Sequence, residues 1–156
     1  MKKNHTLIIG YGNRLRGDDG IGPAIAEIVD SWRLPGVKAL AIQQLVPELV
    51  DELKRGERVL FVDASSEALY GAYTAYIVEP HKSRRSLGHC DTPANLLAMV
   101  GDLEKHEPEA WMLEVAPFSF EFGEGLTEIA QDHVQAALDW IRVWLEEPVI
   151  SCTKSA

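Results

Sequence analysis

Residues 10–22, "GYGNRLRGDDGIG", place five glycines and the adjacent carboxylates Asp18 and Asp19 directly after the apolar run "TLIIG". Glycines in such a loop let another backbone or a ligand come close, and carboxylates beside them suit a cation rather than a phosphate. The dinucleotide fingerprint fails: Gly10, Gly12 and Gly17 put the third glycine two residues too late for G-x-G-x-x-G. Gly12 and Gly17 keep the G-x-x-x-x-G spacing of a nucleoside-triphosphate loop. Asp18 and Asp19 then stand where that loop has lysine and Ser/Thr, so two negative charges would face the phosphate. A plainer role is open as well, since either aspartate can cap the helix that follows, whose first turn carries Pro23.

Asp63 ends the strongly apolar run "RVLFVDA". A carboxylate there opens into the crevice of an open sheet and is costly to bury unless something charged or hydrogen-bonding meets it. Its plainer role is a turn bonded to the backbone of residues 64–66. Of the five histidines, His5 precedes the first strand, while His106 and His133 lie in polar stretches and are expected in solvent. His81 and His89 share the long basic loop "PHKSRRSLGHCDTP"; His89 precedes a helix start with Asp91 or Thr92 as cap. Cys90 offers a thiolate nucleophile, but adjacent residues on an extended loop point apart, which leaves His89 poorly placed to activate it. Neither a G-x-S-x-G elbow nor an H-E-x-x-H helix is present.

These residues need a frame. Apolar runs rich in β-branched or aromatic residues at 6–10, 37–42, 58–64, 72–79 and 111–117 predict five strands. Spacings of three and four among Ile21, Ala24, Ile25, Ile28, Val29 and Trp32, and from Leu126 to Leu145, predict two amphipathic helices, with shorter ones at 46–54 and 93–104. Alternating strand and helix implies a mostly parallel sheet covered on both faces. Only "SSEALYG" joins the third strand to the fourth, too short for a helical crossover, so that pair is expected to run antiparallel in a mixed sheet.

The chain has 156 residues, 46% hydrophobic and 25% charged, which suits one globular domain over residues 1–147 with a flexible tail at 148–156. A formal charge of −9 argues against nucleic acid and anionic membranes as partners. No run of about 18 apolar residues spans a bilayer. Cys90 and Cys152 read as free thiols in a reducing cytoplasm.

Taken together, "GYGNRLRGDDGIG", "FVDAS", "LGHCDTP" and "GEGLTEIAQ" resemble the nickel-iron hydrogenase maturation endopeptidases over nearly the whole chain. The resemblance implies a three-layer α/β/α fold with a mixed sheet. It also implies an endopeptidase that removes the C-terminal extension of the hydrogenase large-subunit precursor once nickel is inserted. By position, the catalytic and metal-contacting residues would be Asp19, Asp63 and His89. The family has glutamate or aspartate at the first of these, so Asp19 fits; "HCDTP" around His89 and "QQLVPEL" at 43–49 depart from the pattern. The implied cofactor is nickel brought by the precursor, with no organic cofactor; a cytoplasmic location and a monomer are expected. Two carboxylates and one imidazole make an incomplete shell that a partner's donors would finish, and imidazole favours nickel over magnesium. Two other classes remain open: a non-catalytic nickel-dependent chaperone of the same precursor, and a peptide hydrolase with two tightly bound metals.

Overall fold

The structure, a computed structural model, describes residues 5–67, 71–80, 91–104 and 106–150. Among these described residues five strands form one sheet: β1 (Thr6–Tyr11), β2 (Val37–Ile42), β3 (Arg58–Ala64), β4 (Tyr73–Ile77) and β5 (Glu109–Val115), in the order β2-β1-β3-β5-β4. All neighbours pair in parallel except β4 with β5. Four α-helices among the described residues cover it: α1 (Ile21–Ser31), the single turn α2 (Val50–Leu53), α3 (Pro93–Glu104) and α4 (Glu128–Glu146).

Why the sheet is mixed differs from the expectation in one respect. The antiparallel partner of β4 is β5, not β3. β5 carries apolar residues on both faces, Ala110 and Met112 on one and Leu113 and Val115 on the other, so it belongs in the interior beside β3. β4 is half exposed, with Tyr76 and Ile77 reaching solvent, and suits an edge.

Alternation along the strands divides the core in two. Ile8, Leu60, Val62 and Leu113 pack with α1 and α4, whereas Leu7, Ile9, Val59, Phe61 and Met112 pack with Leu53 of α2 and Leu96, Leu97 and Val100 of α3. This is the three-layer α/β/α arrangement. Arg58 pins the far end of α4 with its guanidinium, donating to Thr6 Oγ1 at 3.0 Å and to the carbonyls of Trp144, Leu145 and Glu147 at 3.1, 2.9 and 3.0 Å. Carbonyls in the last turn of a helix lack intrahelical partners; that of Trp144 also accepts from Glu147 N at 3.2 Å.

Beyond α3, His106 donates from Nε2–H to the Gly56 carbonyl at 2.7 Å and Glu109 N bonds Glu57 O at 3.1 Å. α3 therefore ends where β3 and β5 begin. Its twelve residues, about 18 Å of helix, run back toward the carboxyl ends of those strands. At the start of α3 it is Thr92, of the two candidates, that caps: its hydroxyl accepts from Asn95 N at 3.2 Å.

Candidate functional site

The glycine loop is fixed by close approach. A Cβ on Gly10 would lie 1.9 Å from Gly22 O, and one on Gly22 would lie 2.4 Å from Tyr11 O and 2.5 Å from Val62 O. The start of α1 thus sits directly on the ends of β1 and β3, closer than any side chain permits. Gly12 adopts φ +150 with Asp19 O 2.0 Å from its Cβ position, which brings the turn holding Asp19 over the strand ends. Residues 17–20 form a single 3-10 turn ahead of α1.

Neither aspartate caps α1: its N-cap is Gly20, with no side-chain hydrogen bond. Asp18 is fully buried and turns instead to a segment a hundred residues away. Its Oδ2 accepts from Phe118 N at 2.8 Å, Ser119 N at 2.9 Å and the Thr127 hydroxyl at 2.8 Å, and its Oδ1 accepts from Thr127 N at 2.8 Å. Burial alone would raise its pKa, but the N–H groups of Thr127, Ser119 and Phe118 outweigh it and hold the carboxyl below its ordinary value. Thr127 in turn caps α4, accepting from Ala130 N at 3.2 Å.

Asp19 faces the other way. Its Oδ2 accepts from Asn13 N at 2.7 Å, and its charge acts on Asp63. Asp63 continues the alternation of Val59 and Phe61, so it stands on the α3 side of the sheet. Tyr11, after Leu7 and Ile9, and Glu114, after Ala110 and Met112, stand on that same side. The register pairs Asp63 with Glu114, and Glu114 Oε1 accepts from the Tyr76 hydroxyl at 2.9 Å. Burial, then the Asp19 charge and, less strongly, the Glu114 charge push Asp63 up to about 7; the Ala64 N–H and the Tyr11 hydroxyl oppose the rise. Burial and the Asp63 charge in turn push the Tyr11 phenol well above its usual range. Tyr76 rises to about 12 through burial and Glu114.

The turn role weighed for Asp63 survives only as the Ala64 interaction. Two of the three expected site residues, Asp19 and Asp63, therefore come together at the carboxyl edge of the sheet, while His89, with His81 and Cys90, lies outside the described residues. Among the described residues no group of three or more His, Cys, Asp or Glu side chains is arranged to hold a metal by itself. His133, expected in solvent, is half-buried and donates from Nδ1–H to Ala116 O at 2.7 Å, and His106 is likewise tied to a carbonyl. Sequence reasoning missed Tyr11, Glu114 and Tyr76. A charge inside the apolar run "WMLEV" was the available signal for Glu114, and the period-two phase of Tyr11 was the one for the tyrosine.

What this corner can do chemically follows from its imbalance. Two neighbouring carboxylates, one of which has just the Ala64 N–H and the Tyr11 hydroxyl as donors among the described residues, gain most from a cation placed between them.

No family model and no curated protein matches the sequence. Solved structures do. The [NiFe] hydrogenase maturation protease HycI from Thermococcus kodakarensis KOD1 aligns at TM-score 0.69 and 18% identity over 92% of this chain and 94% of its own. The hydrogenase maturating endopeptidase HybD from E. coli aligns at 0.69 and 21%, over 90% and 91%. A hydrogenase 2 maturation peptidase from a Thaumarchaeota archaeon aligns at 0.67 and 24%, over 91% and 98%. The chain has the fold of these proteins. No helix among the described residues is long and apolar enough to cross a membrane.

Proposed function

We propose that this protein is a hydrogenase maturation endopeptidase that hydrolyses one peptide bond near the C-terminus of a [NiFe] hydrogenase large-subunit precursor after nickel insertion. The observation that carries the reading is the meeting of Asp19 and Asp63 beneath the glycine loop. There Asp63 is pushed up to about 7, a carboxyl whose ionised form waits for a positive charge. That this corner sits in the fold shared with HycI and HybD, proteins named for such maturation, supports the substrate.

In this reading the nickel is the precursor's cargo. Asp19, Asp63 and His89 each give one donor to it and act as the catalytic set. The chain supplies too few donors to keep the ion, so binding requires the precursor's own ligands, and loading is thereby sensed. A divalent ion held beside the scissile bond also polarises its carbonyl toward an attacking water. The Thr92-capped start of α3, running from the strand-end side of the sheet, supports His89, three residues before Thr92, as the third donor. The protein would act as a cytoplasmic monomer through a single domain, residues 1–147, without an organic cofactor, nucleic acid or membrane.

The test is incubation with matched precursor, with and without nickel, read by mass spectrometry. Loss of the C-terminal extension only from the nickel-loaded form is expected. Binding without any loss of mass would instead favour a chaperone, and cleavage of nickel-free precursor would remove nickel from the account.

A further inference from the structure

The loop from Ala116 to Leu126, which joins β5 to α4, is tied to the glycine loop by backbone as well as by Asp18. Gly17 N donates to Gly123 O at 2.9 Å, Gly123 N to Leu15 O at 2.7 Å, and Asp18 N to Ser119 O at 2.9 Å. Gly17 has φ +56, and a Cβ there would lie 2.9 Å from Ser119 O and 3.1 Å from Glu121 O, so only glycine lets the two loops lie this close. The joined loops hold their apolar side chains outward. Phe118 is 67% exposed, Phe120 40%, Phe122 87% and Leu15 47%. Four large apolar side chains exposed on two joined loops are more than singly scattered surface residues, and apolar exposure of this kind marks a binding surface. Glu121 and Glu124, both exposed, stand on the same loop, and Asp19 directly follows the Asp18 that this loop holds.

We infer that Leu15, Phe118, Phe120 and Phe122 form the docking surface for the precursor, receiving an apolar segment flanked by basic residues beside the bond to be cut. The inference rests on the endopeptidase reading, and it assigns recognition to residues that touch no metal. Charge selects the occupant: Arg14 is paired with Glu27, and Glu121 and Glu124 outnumber the remaining Arg16, so the rim keeps a negative excess that attracts a lysine- or arginine-flanked segment and repels an acidic one. The rigid link through Asp18 and Gly17 fixes the distance from this surface to Asp19, so a docked segment enters the site in one register. Pre-set geometry of that kind is what turns binding into positioning.

The test replaces Phe118, Phe120 and Phe122 together with serine. Because Phe118 and Phe122 are mostly exposed and Phe120 is 40% exposed, the thermal midpoint should fall by no more than about 4 °C. With nickel-loaded precursor, KM should rise at least about tenfold, with kcat retained at saturation. An unchanged KM would overturn the assignment. Two synthetic peptides with the same apolar core, one flanked by lysines and one by glutamates, test the surface separately by fluorescence anisotropy. The lysine-flanked peptide should bind wild type and lose at least about tenfold with the serine variant. Equal binding of both peptides would remove the charge selection. A wild-type dimer in sedimentation velocity that the serine variant dissolves would assign the surface to a second copy of the chain and overturn the proposal. A wild-type protein that binds the lysine-flanked peptide but never cuts precursor would sink the endopeptidase reading and leave the docking surface standing.

Discussion

Asp18 and Asp63 are both aspartates at the carboxyl end of one sheet, and the molecule treats them in opposite ways. Asp18 accepts three backbone N–H groups and a hydroxyl, which hold its carboxyl below the ordinary range despite full burial. Asp63 meets two other carboxylates and little help from donors, and rises to about 7. The first is saturated and can only hold structure together. The second has two donors among the described residues against two opposing carboxylates, and that imbalance is what a cation or a proton can relieve. Asp19, next to Asp18 in sequence, belongs with Asp63.

Breaking the saturated carboxylate should produce the largest effect. Asp18→Ala leaves three partly buried N–H groups without their acceptor, a loss of about 3–5 kcal/mol and a fall of roughly 6–20 °C in the thermal midpoint. A calorimetric midpoint within a degree or two of wild type would show that the two loops do not depend on this clamp. Asp18→Asn should lie between, because its amide turns an N–H toward donors.

The second change should act with the opposite sign. The pKa of Asp63 is raised above its unfolded value, so the native state binds more protons between about pH 4 and pH 7. Stability conferred by the protonated carboxyl is present at low pH, falls as pH climbs through that window, and is flat above it. Asp63→Asn should remove this slope and raise the thermal midpoint at pH 8 by about 2–6 °C, while abolishing precursor cleavage. Destabilisation at pH 8 would mean that Asp63 is held by partners of the Asp18 kind.

Smaller effects sharpen the same contrast. Glu114→Gln removes a negative charge facing Asp63 and should lower the Asp63 titration midpoint by about half a pH unit. Tyr11→Phe removes a group that favours the ionised form and should raise it by a similar or smaller amount. Carboxyl NMR titration reads both, and shifts in the reverse directions would contradict the electrostatic picture.

Much of this was legible in the sequence, and the failures share a cause. The glycine loop, the five apolar runs and the long helices announced themselves through local spacing, and Asp19 and Asp63 through their places after strands. Capping is also local, and the sequence narrows the start of α3 to Asp91 or Thr92, of which Thr92 caps. The same logic misassigned Asp18, because its partners are Phe118, Ser119 and Thr127, which no nearby spacing reveals. The antiparallel pairing of β4 went to β5 because burial on both faces, a property of the assembled sheet, claims β5 for the place beside β3. His106 and His133 sat in polar sequence yet met carbonyls brought from Gly56 and Ala116.

The most direct measurement of the central claim compares wild type, Asp19→Asn, Asp63→Asn and His89→Ala on nickel-loaded precursor, by single-turnover cleavage. Each substitution should reduce the rate by at least about a hundredfold, with circular dichroism unchanged. Near-wild-type cleavage by either aspartate variant would contradict a nickel-reading site at the carboxyl ends of β1 and β3.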